Sequence, residues 1–229
     1  MTEGDAESRG QIKVAPNGPY VVSGAVPLAR RGIVRSEHGE PMTWQTRARL
    51  DTQGTVALCR CGGSANKPFC DGTHARNGFD GTETAATTAY DDRAKAYAST
   101  HVVVRDDRSI CEHAGFCANR VTNVWEMVGG AATDDSVARL QMMSMIEHCP
   151  SGALTYRMTA AGADVEPDLA AGIGVTDDGP YYVTGGLPVA RADGQALEAR
   201  NRVTLCRCGA SKNKPLCDGS HTAAGFRDA

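Results

Sequence analysis

Nine cysteines and six histidines are the residues with chemistry to offer, and six of the cysteines sit in two copies of one sixteen-residue block. The first reads Cys59-Arg-Cys-Gly-Gly-Ser-Ala-Asn-Lys-Pro-Phe-Cys-Asp-Gly-Thr-His74 and the second Cys206-Arg-Cys-Gly-Ala-Ser-Lys-Asn-Lys-Pro-Leu-Cys-Asp-Gly-Ser-His221, identical at 12 of 16 positions. Each offers three soft thiolates and one imidazole: Cys59, Cys61, Cys70 and His74, then Cys206, Cys208, Cys217 and His221. Among the metals that thiolates favour, a lone histidine leaves zinc and iron–sulfur as the contenders. Structural zinc loops usually space their ligands two to four residues apart. The tighter C-x-C suits adjacent ligands on one iron of a larger cluster. Cys-x3-His puts the second pair one helical turn apart, on one face, where it suits a second iron. A pair of structural Cys3His zinc sites is the plainer alternative.

The other three cysteines form Cys111-Glu-His-Ala-Gly-Phe-Cys117 and, after 31 intervening residues, Cys149-Pro. This resembles half of a bacterial ferredoxin, where C-x2-C-x2-C…C-P holds a cubane cluster. Ala114 stands where the central cysteine belongs and has no ligating atom. Cys111, Cys117 and Cys149 are the candidate ligands of a third centre, and His113 is a possible fourth. The plainer alternative is three unligated core cysteines.

Each sixteen-residue block spells C-x-C-x2-(S/T)-x3-P-x-C-D-G-(S/T/A)-H without departure, and so resembles the CDGSH iron–sulfur domain of the NEET family. The resemblance implies one 2Fe-2S cluster per block, held by Cys59, Cys61, Cys70 and His74 and by Cys206, Cys208, Cys217 and His221. Members with one block pair as homodimers; this chain looks like the kind in which the dimer is fused. Ferredoxins of the C-x5-C…C-P type carry a 3Fe-4S cluster, which the resemblance implies for Cys111, Cys117 and Cys149. A 4Fe-4S cluster with His113 is the alternative. A neutral imidazole in place of a thiolate removes one negative charge and raises the reduction potential, and its outer nitrogen is free to take a proton. Asp71 and Asp218 are expected to cap a short helix carrying Cys and His, and Gly72 and Gly219 to let backbone approach the cluster. Ser64 and Ser211 are expected either to bond near a sulfide or to close the loop. Arg60 and Arg207 should either offset cluster charge or point to water.

The elements that position these donors are duplicated too. Asn17-Gly-Pro-Tyr-Val-Val-Ser-Gly-Ala-Val-Pro-Leu-Ala-Arg30 returns as Asp178-Gly-Pro-Tyr-Tyr-Val-Thr-Gly-Gly-Leu-Pro-Val-Ala-Arg191. In both, a Gly-Pro turn opens a β-rich run, and a second run leads to the first cysteine. From Arg30 to Cys59 there are 28 intervening residues, against 14 from Arg191 to Cys206, so the first copy holds a loop or hairpin extension around Gly32 to Thr46. Two copies are too few for a solenoid, which leaves a pseudo-two-fold pair. Between them, His101–Val104 predicts a strand. Thr133–His148 predicts a helix with Thr133 as N-cap and Val137, Leu140, Met143 and Ile146 on one side, its methionines being core rather than ligands. The expected architecture is α+β: a disordered tail (1–16), a first module (17–80), a linker (81–89), a ferredoxin-like domain (90–159), a second linker (160–177) and a second module (178–229).

Composition narrows the function. A net charge of -3 over 229 residues, without lysine or arginine runs, draws neither nucleic acid nor a membrane surface. Met1–Gln11 lacks an apolar core, and nowhere do eighteen apolar residues run together, which predicts a soluble cytoplasmic protein. An odd number of cysteines in clusters of three fits thiolate ligands in a reducing compartment better than disulfides. No nucleophile elbow, P-loop or dinucleotide fingerprint occurs, so substrate chemistry is not expected. The leading expectation is a single-electron carrier with proton coupling at His74 and His221. Its partners would be redox proteins, and the internal pair would leave it monomeric. A cluster donor or sensor serving apo iron–sulfur acceptors is the second expectation, and a zinc-stabilised interaction module the third.

Overall fold

Alternation of apolar residues starts the first strand earlier than the repeat alone suggests. In the computed structural model, which describes residues 10–195 and 197–228, Ile12 and Val14 are buried in β1 (Gln11–Val14). The tail expected over 1–16 is therefore corrected for its second half; residues 1–9 lie outside the described residues. Asn17 and its counterpart Asp178 take positive φ (44° and 47°), which short polar side chains tolerate, and turn the chain into the next strand. There follow β2 (Tyr20–Ser23), β3 (Leu28–Arg35), β4 (Pro41–Leu50) and β5 (Val56–Leu58). The extension of the first copy is the β3–β4 hairpin, antiparallel with bulges.

The central segment runs α1 (Tyr90–Arg93), β6 (Lys95–Ala98), β7 (Val103–Asp106), α2 (Val124–Gly129), α3 (Ser136–Glu147) and β8 (Leu154–Arg157), with β6, β7 and β8 in one antiparallel sheet. β7 begins two residues beyond His101 because Ser99 bonds Val102 in a turn. Asp135, not Thr133, caps α3 by accepting from the Ala138 amide, while Thr133 lies buried in a preceding 3-10 turn. The buried row of α3 is Met142 and Ile146, four apart. Val137 and Leu140 are 71% and 64% exposed, contrary to the expected face. Met142 is core, and Met143 and Met145 pack partly buried against the same cluster.

The second copy supplies β9 (Gly172–Thr176), β10 (Tyr181–Thr184), β11 (Val189–Ala190), β12 (Arg202–Leu205) and α4 (Ser220–Ala223). β9 takes the end of the stretch expected as a linker over 160–177, since Ile173 and Val175 alternate into the core. The other linker, 81–89, is also fastened: Ala85 is buried, and the amides of Thr84 and Ala85 both donate to the Lys214 carbonyl.

The two copies exchange a strand. One sheet runs β11-β1-β2-β5 and the other β12-β10-β9-β3-β4, so the third strand of each repeat lies parallel to the first strand of its sister. One continuous core joins both copies and reaches Tyr90, Ile110 and Ala153 of the central domain. Neither copy closes its sheet alone, which makes the pseudo-two-fold pair one folding unit. No described helix is long and apolar enough to cross a membrane.

Candidate metal centres

All nine cysteines are unbridged. In each block, the strand before the first cysteine ends in a loop that folds back on it: the Cys59 amide donates to the Pro68 carbonyl, and the Cys206 amide to Pro215. The loops set the donors in pairs. Cys59 and Cys61 sulfurs lie 3.9 Å apart and Cys206 and Cys208 sulfurs 3.8 Å, while Cys70 and Cys217 sulfurs each lie 3.4 Å from the Nδ1 of His74 and His221. Two thiolates on one tetrahedral ion, with metal–sulfur bonds of ~2.3 Å, stand ~3.8 Å apart, and a thiolate and an imidazole ~3.6 Å. Among the described residues, no three Cys, His, Asp or Glu side chains close around a single ion. Each block presents two pairs of donors, each at the separation of two ligands on one metal.

Around these pairs the two blocks are built alike. Asp71 accepts from the Ala65 and Thr73 amides and Asp218 from those of Lys212 and Ser220, pinning the donor loop across its width. These contacts hold the Asp71 carboxyl down at about 2. The expected capping is corrected: Gly72 and Gly219, not Asp71 and Asp218, are the N-caps, and the short helices that follow carry the histidines but not the cysteines. Both glycines take φ of 83°, a left-handed turn that stericly favours glycine. Ser64 and Ser211 donate to the Phe69 and Leu216 carbonyls and so close the loop. Arg60 and Arg207 do not point to water. Both are buried: Arg60 donates to the Gly81 carbonyl and Arg207 to those of Gly179 and Thr176, with their guanidinium planes near Phe79 and Phe226.

The blocks meet at their ligands. Cys61 and Cys208 form an antiparallel bridge, and a Cβ on Gly62 would stand 2.6 Å from the Cys208 oxygen, as one on Gly209 would stand 2.7 Å from that of Cys61. Tyr20 donates to the carbonyls of Cys206 and Pro215, and Tyr181 to those of Cys59 and Pro68, so each copy steadies the other's loop. Nothing in the motif pointed to these tyrosines; their recurrence in the two Gly-Pro-Tyr repeats was the available signal.

Cys111, Cys117 and Cys149 line one pocket of ≈ 140 Å³ with Arg108, Phe116 and Ser151. The His113 amide and the Arg108 guanidinium both point at the Cys111 sulfur, 3.4 and 3.5 Å away. The His113 ring lies beside Gly219, where an added Cβ would meet it at 3.0 Å. Arg202, wholly buried, donates to the carbonyls of Ile146, Glu147, Cys149 and Leu154. It satisfies the end of α3 and fixes the loop that presents Cys149. From the hairpin, Trp44 donates to the His148 carbonyl and packs on Phe116. Neither Arg202 nor Trp44 carries a sequence pattern, since both act through tertiary contact.

Burial sets the electrostatics. It pushes the thiols of Cys59, Cys111, Cys117 and Cys217 up, so a metal entering these sites displaces protons. Within the Cys206–Cys208 pair, the shared hydrogen bond raises Cys206 and brings Cys208 down to about 7. Burial lowers His221, keeping its imidazole neutral and able to donate a lone pair. Glu112, adjacent to Cys111, is buried with one unpartnered carboxyl oxygen and is pushed up to about 8.

Comparison with known families divides the chain as its geometry does. Residues 17–75 and 178–222 match the model described as iron-binding zinc finger, CDGSH type, and residues 97–159 match the divergent 4Fe-4S mono-cluster model. No curated protein and no solved structure matches the chain.

Proposed function

With two iron-binding CDGSH-type domains flanking a divergent 4Fe-4S mono-cluster domain, the chain is an iron–sulfur protein, and from that premise we propose that it carries single electrons between protein partners. The observation that carries this reading is the donor geometry: two pairs per block, at the separations of ligands sharing one tetrahedral metal, and three cysteines around one pocket. When bound, iron–sulfur clusters take up and release one electron at a time with little change in shape. Cys59, Cys61, Cys70 and His74 would hold one 2Fe-2S cluster, and Cys206, Cys208, Cys217 and His221 the other. Cys111, Cys117 and Cys149 would hold a 3Fe-4S cluster. His113 lines the same pocket, so a 4Fe-4S cluster with His113 as the fourth ligand is the alternative.

The chain's own residues do the tuning. Amides of Gly63, Gly72, Ala210 and Gly219 point at cysteine sulfurs and favour the thiolate form. Nδ1 of each ligand histidine faces its cysteine, which leaves Nε2 at the outer edge to exchange a proton as the electron moves. The reading includes no substrate chemistry, no nucleic-acid or membrane partner, a cytoplasmic location, and a single chain that serves as its own dimer.

Partial exposure of Cys70 and His74 favours a second reading, donation of the first block's cluster to an apo acceptor. Incubation with an apo-ferredoxin separates the two: a carrier keeps its colour through repeated redox cycles, and a donor loses it to the acceptor. The primary test is anaerobic purification with iron, zinc and sulfide analysis and electron paramagnetic resonance. Two reduced 2Fe-2S signals and one oxidised 3Fe-4S signal are expected. A colourless protein holding zinc without sulfide overturns the proposal.

A further inference from the structure

The two blocks are built alike but covered differently. At Gly219 a Cβ would meet the Glu112 carbonyl oxygen and the His113 ring at 3.0 Å; at the matching Gly72 it would meet nothing within 4 Å. Asn213 donates to the Ser109 carbonyl, 2.7 Å away, whereas its counterpart Asn66 is exposed. Cys217 is 2% exposed while its counterpart Cys70 is partly open; the first cysteines, Cys59 and Cys206, are buried alike. The segment that carries Cys111 is thus seated on the loop that carries Cys217 and His221. Arg202 fastens the same pair of domains from the strand that leads into Cys206. Beyond the second block, the Cys61–Cys208 bridge continues to the first.

Resting on the iron–sulfur reading above, we propose that the three sites form a series in which the second block is the internal relay. The Glu112–His113 contact with Gly219 joins the Cys111/Cys117/Cys149 site to the second block, and the Cys61–Cys208 bridge joins the second block to the first. One electron leaves the central site as one arrives at the second block, and no bond is made or broken. The central site and the first block are the two ends that exchange electrons with outside partners. Pseudo-symmetry of the blocks therefore does not extend to their roles.

The test is microwave-power saturation of the dithionite-reduced, fully loaded protein, in which a nearby paramagnetic centre speeds relaxation. His74→Cys and His221→Cys each keep four donors and shift the signal of one block, which assigns the two 2Fe-2S spectra. The second-block signal is expected to saturate at several-fold higher power than the first, and Cys117→Ser, which removes a central ligand, should abolish that difference. Equal saturation of the two signals in the intact protein, or faster relaxation of the first block, overturns the series even if Cys117→Ser does not fold. Those outcomes leave the iron–sulfur reading standing. Absence of both 2Fe-2S signals sinks the two together.

Discussion

Tyr20 and Tyr181 meet edge to face with ring centroids 5.9 Å apart, and each hydroxyl crosses the pseudo-dyad to the carbonyl of the other copy's first cysteine. Both rings are buried, and burial raises both hydroxyls well above the ordinary tyrosine range, so they stay protonated donors. The two donor loops are consequently held by each other's copy.

This arrangement makes the effect of Tyr20→Phe appear in the opposite block. The ring stays, but the Cys206 carbonyl loses its tyrosine donor and the Pro215 carbonyl keeps only the Cys206 amide, at a cost of about 1–3 kcal/mol. Denaturant unfolding should show that loss. Cluster release followed by electron paramagnetic resonance should quicken in the second block for Tyr20→Phe and in the first for Tyr181→Phe. Release that quickens in the substituted copy's own block contradicts the crossed arrangement.

Contact across the bridge is close enough to leave no room for a methyl group. Gly62→Ala and Gly209→Ala each place a Cβ within 2.7 Å of the facing carbonyl oxygen, at a residue whose φ is positive. Strain and displacement together should cost at least about 2 kcal/mol. Gly39→Ala, also at positive φ but facing open space, should cost only about 1 kcal/mol. Thermal unfolding of the three variants measures the difference, and similar losses at all three positions would show that the bridge does not matter.

The donors and the duplicated modules were legible because both are local: a cysteine loop and a Gly-Pro turn repeat their chemistry in consecutive residues. Strand exchange was not, since Val189 pairs with Ile12 rather than with a neighbour in sequence. The same holds for β1 and β9, whose Ile12, Val14, Ile173 and Val175 alternate over too few residues to stand out among polar surroundings. The burial of Arg60 and Arg207 was not legible between two cysteines. Their actual targets, Gly81 and Gly179, lie at least twenty residues away. On α3 the expected face held for Ile146 but not for Val137 and Leu140, since Met142 faces the core in their place.

Arg202 offers a way to uncouple the central domain without touching a ligand. Its guanidinium supplies the only side-chain donor that the described residues show for the Cys149 carbonyl, and it bonds Glu166 as well. Arg202→Leu would remove a side-chain donor from four carbonyls, of which Ile146 and Cys149 keep a backbone amide, costing about 3 kcal/mol or more. Iron analysis should show loss of the central site, with the two 2Fe-2S signals retained at reduced thermal stability. Full iron content in a folded variant would show that Arg202 does not secure the Cys149 loop.

Unequal cover also orders the attack of a chelator on the two blocks. In the first, Cys70 is partly open and the carboxylate of Asp71 is exposed, while His74 and His221 are alike partly open. In the second, Cys217 lies beneath the Glu112–His113 segment. A bulky iron chelator reaches a ligand that solvent touches sooner than one covered by another domain, because the covered ligand requires local opening first. Loss from the first block should therefore outpace loss from the second several-fold, followed as the separate decay of the His74→Cys and His221→Cys labelled signals. Substituting Gly219 by Ala, which presses on Glu112 and His113, should narrow the gap by quickening the second block alone. Equal rates in the unsubstituted blocks would show that the central domain gives the second block no protection.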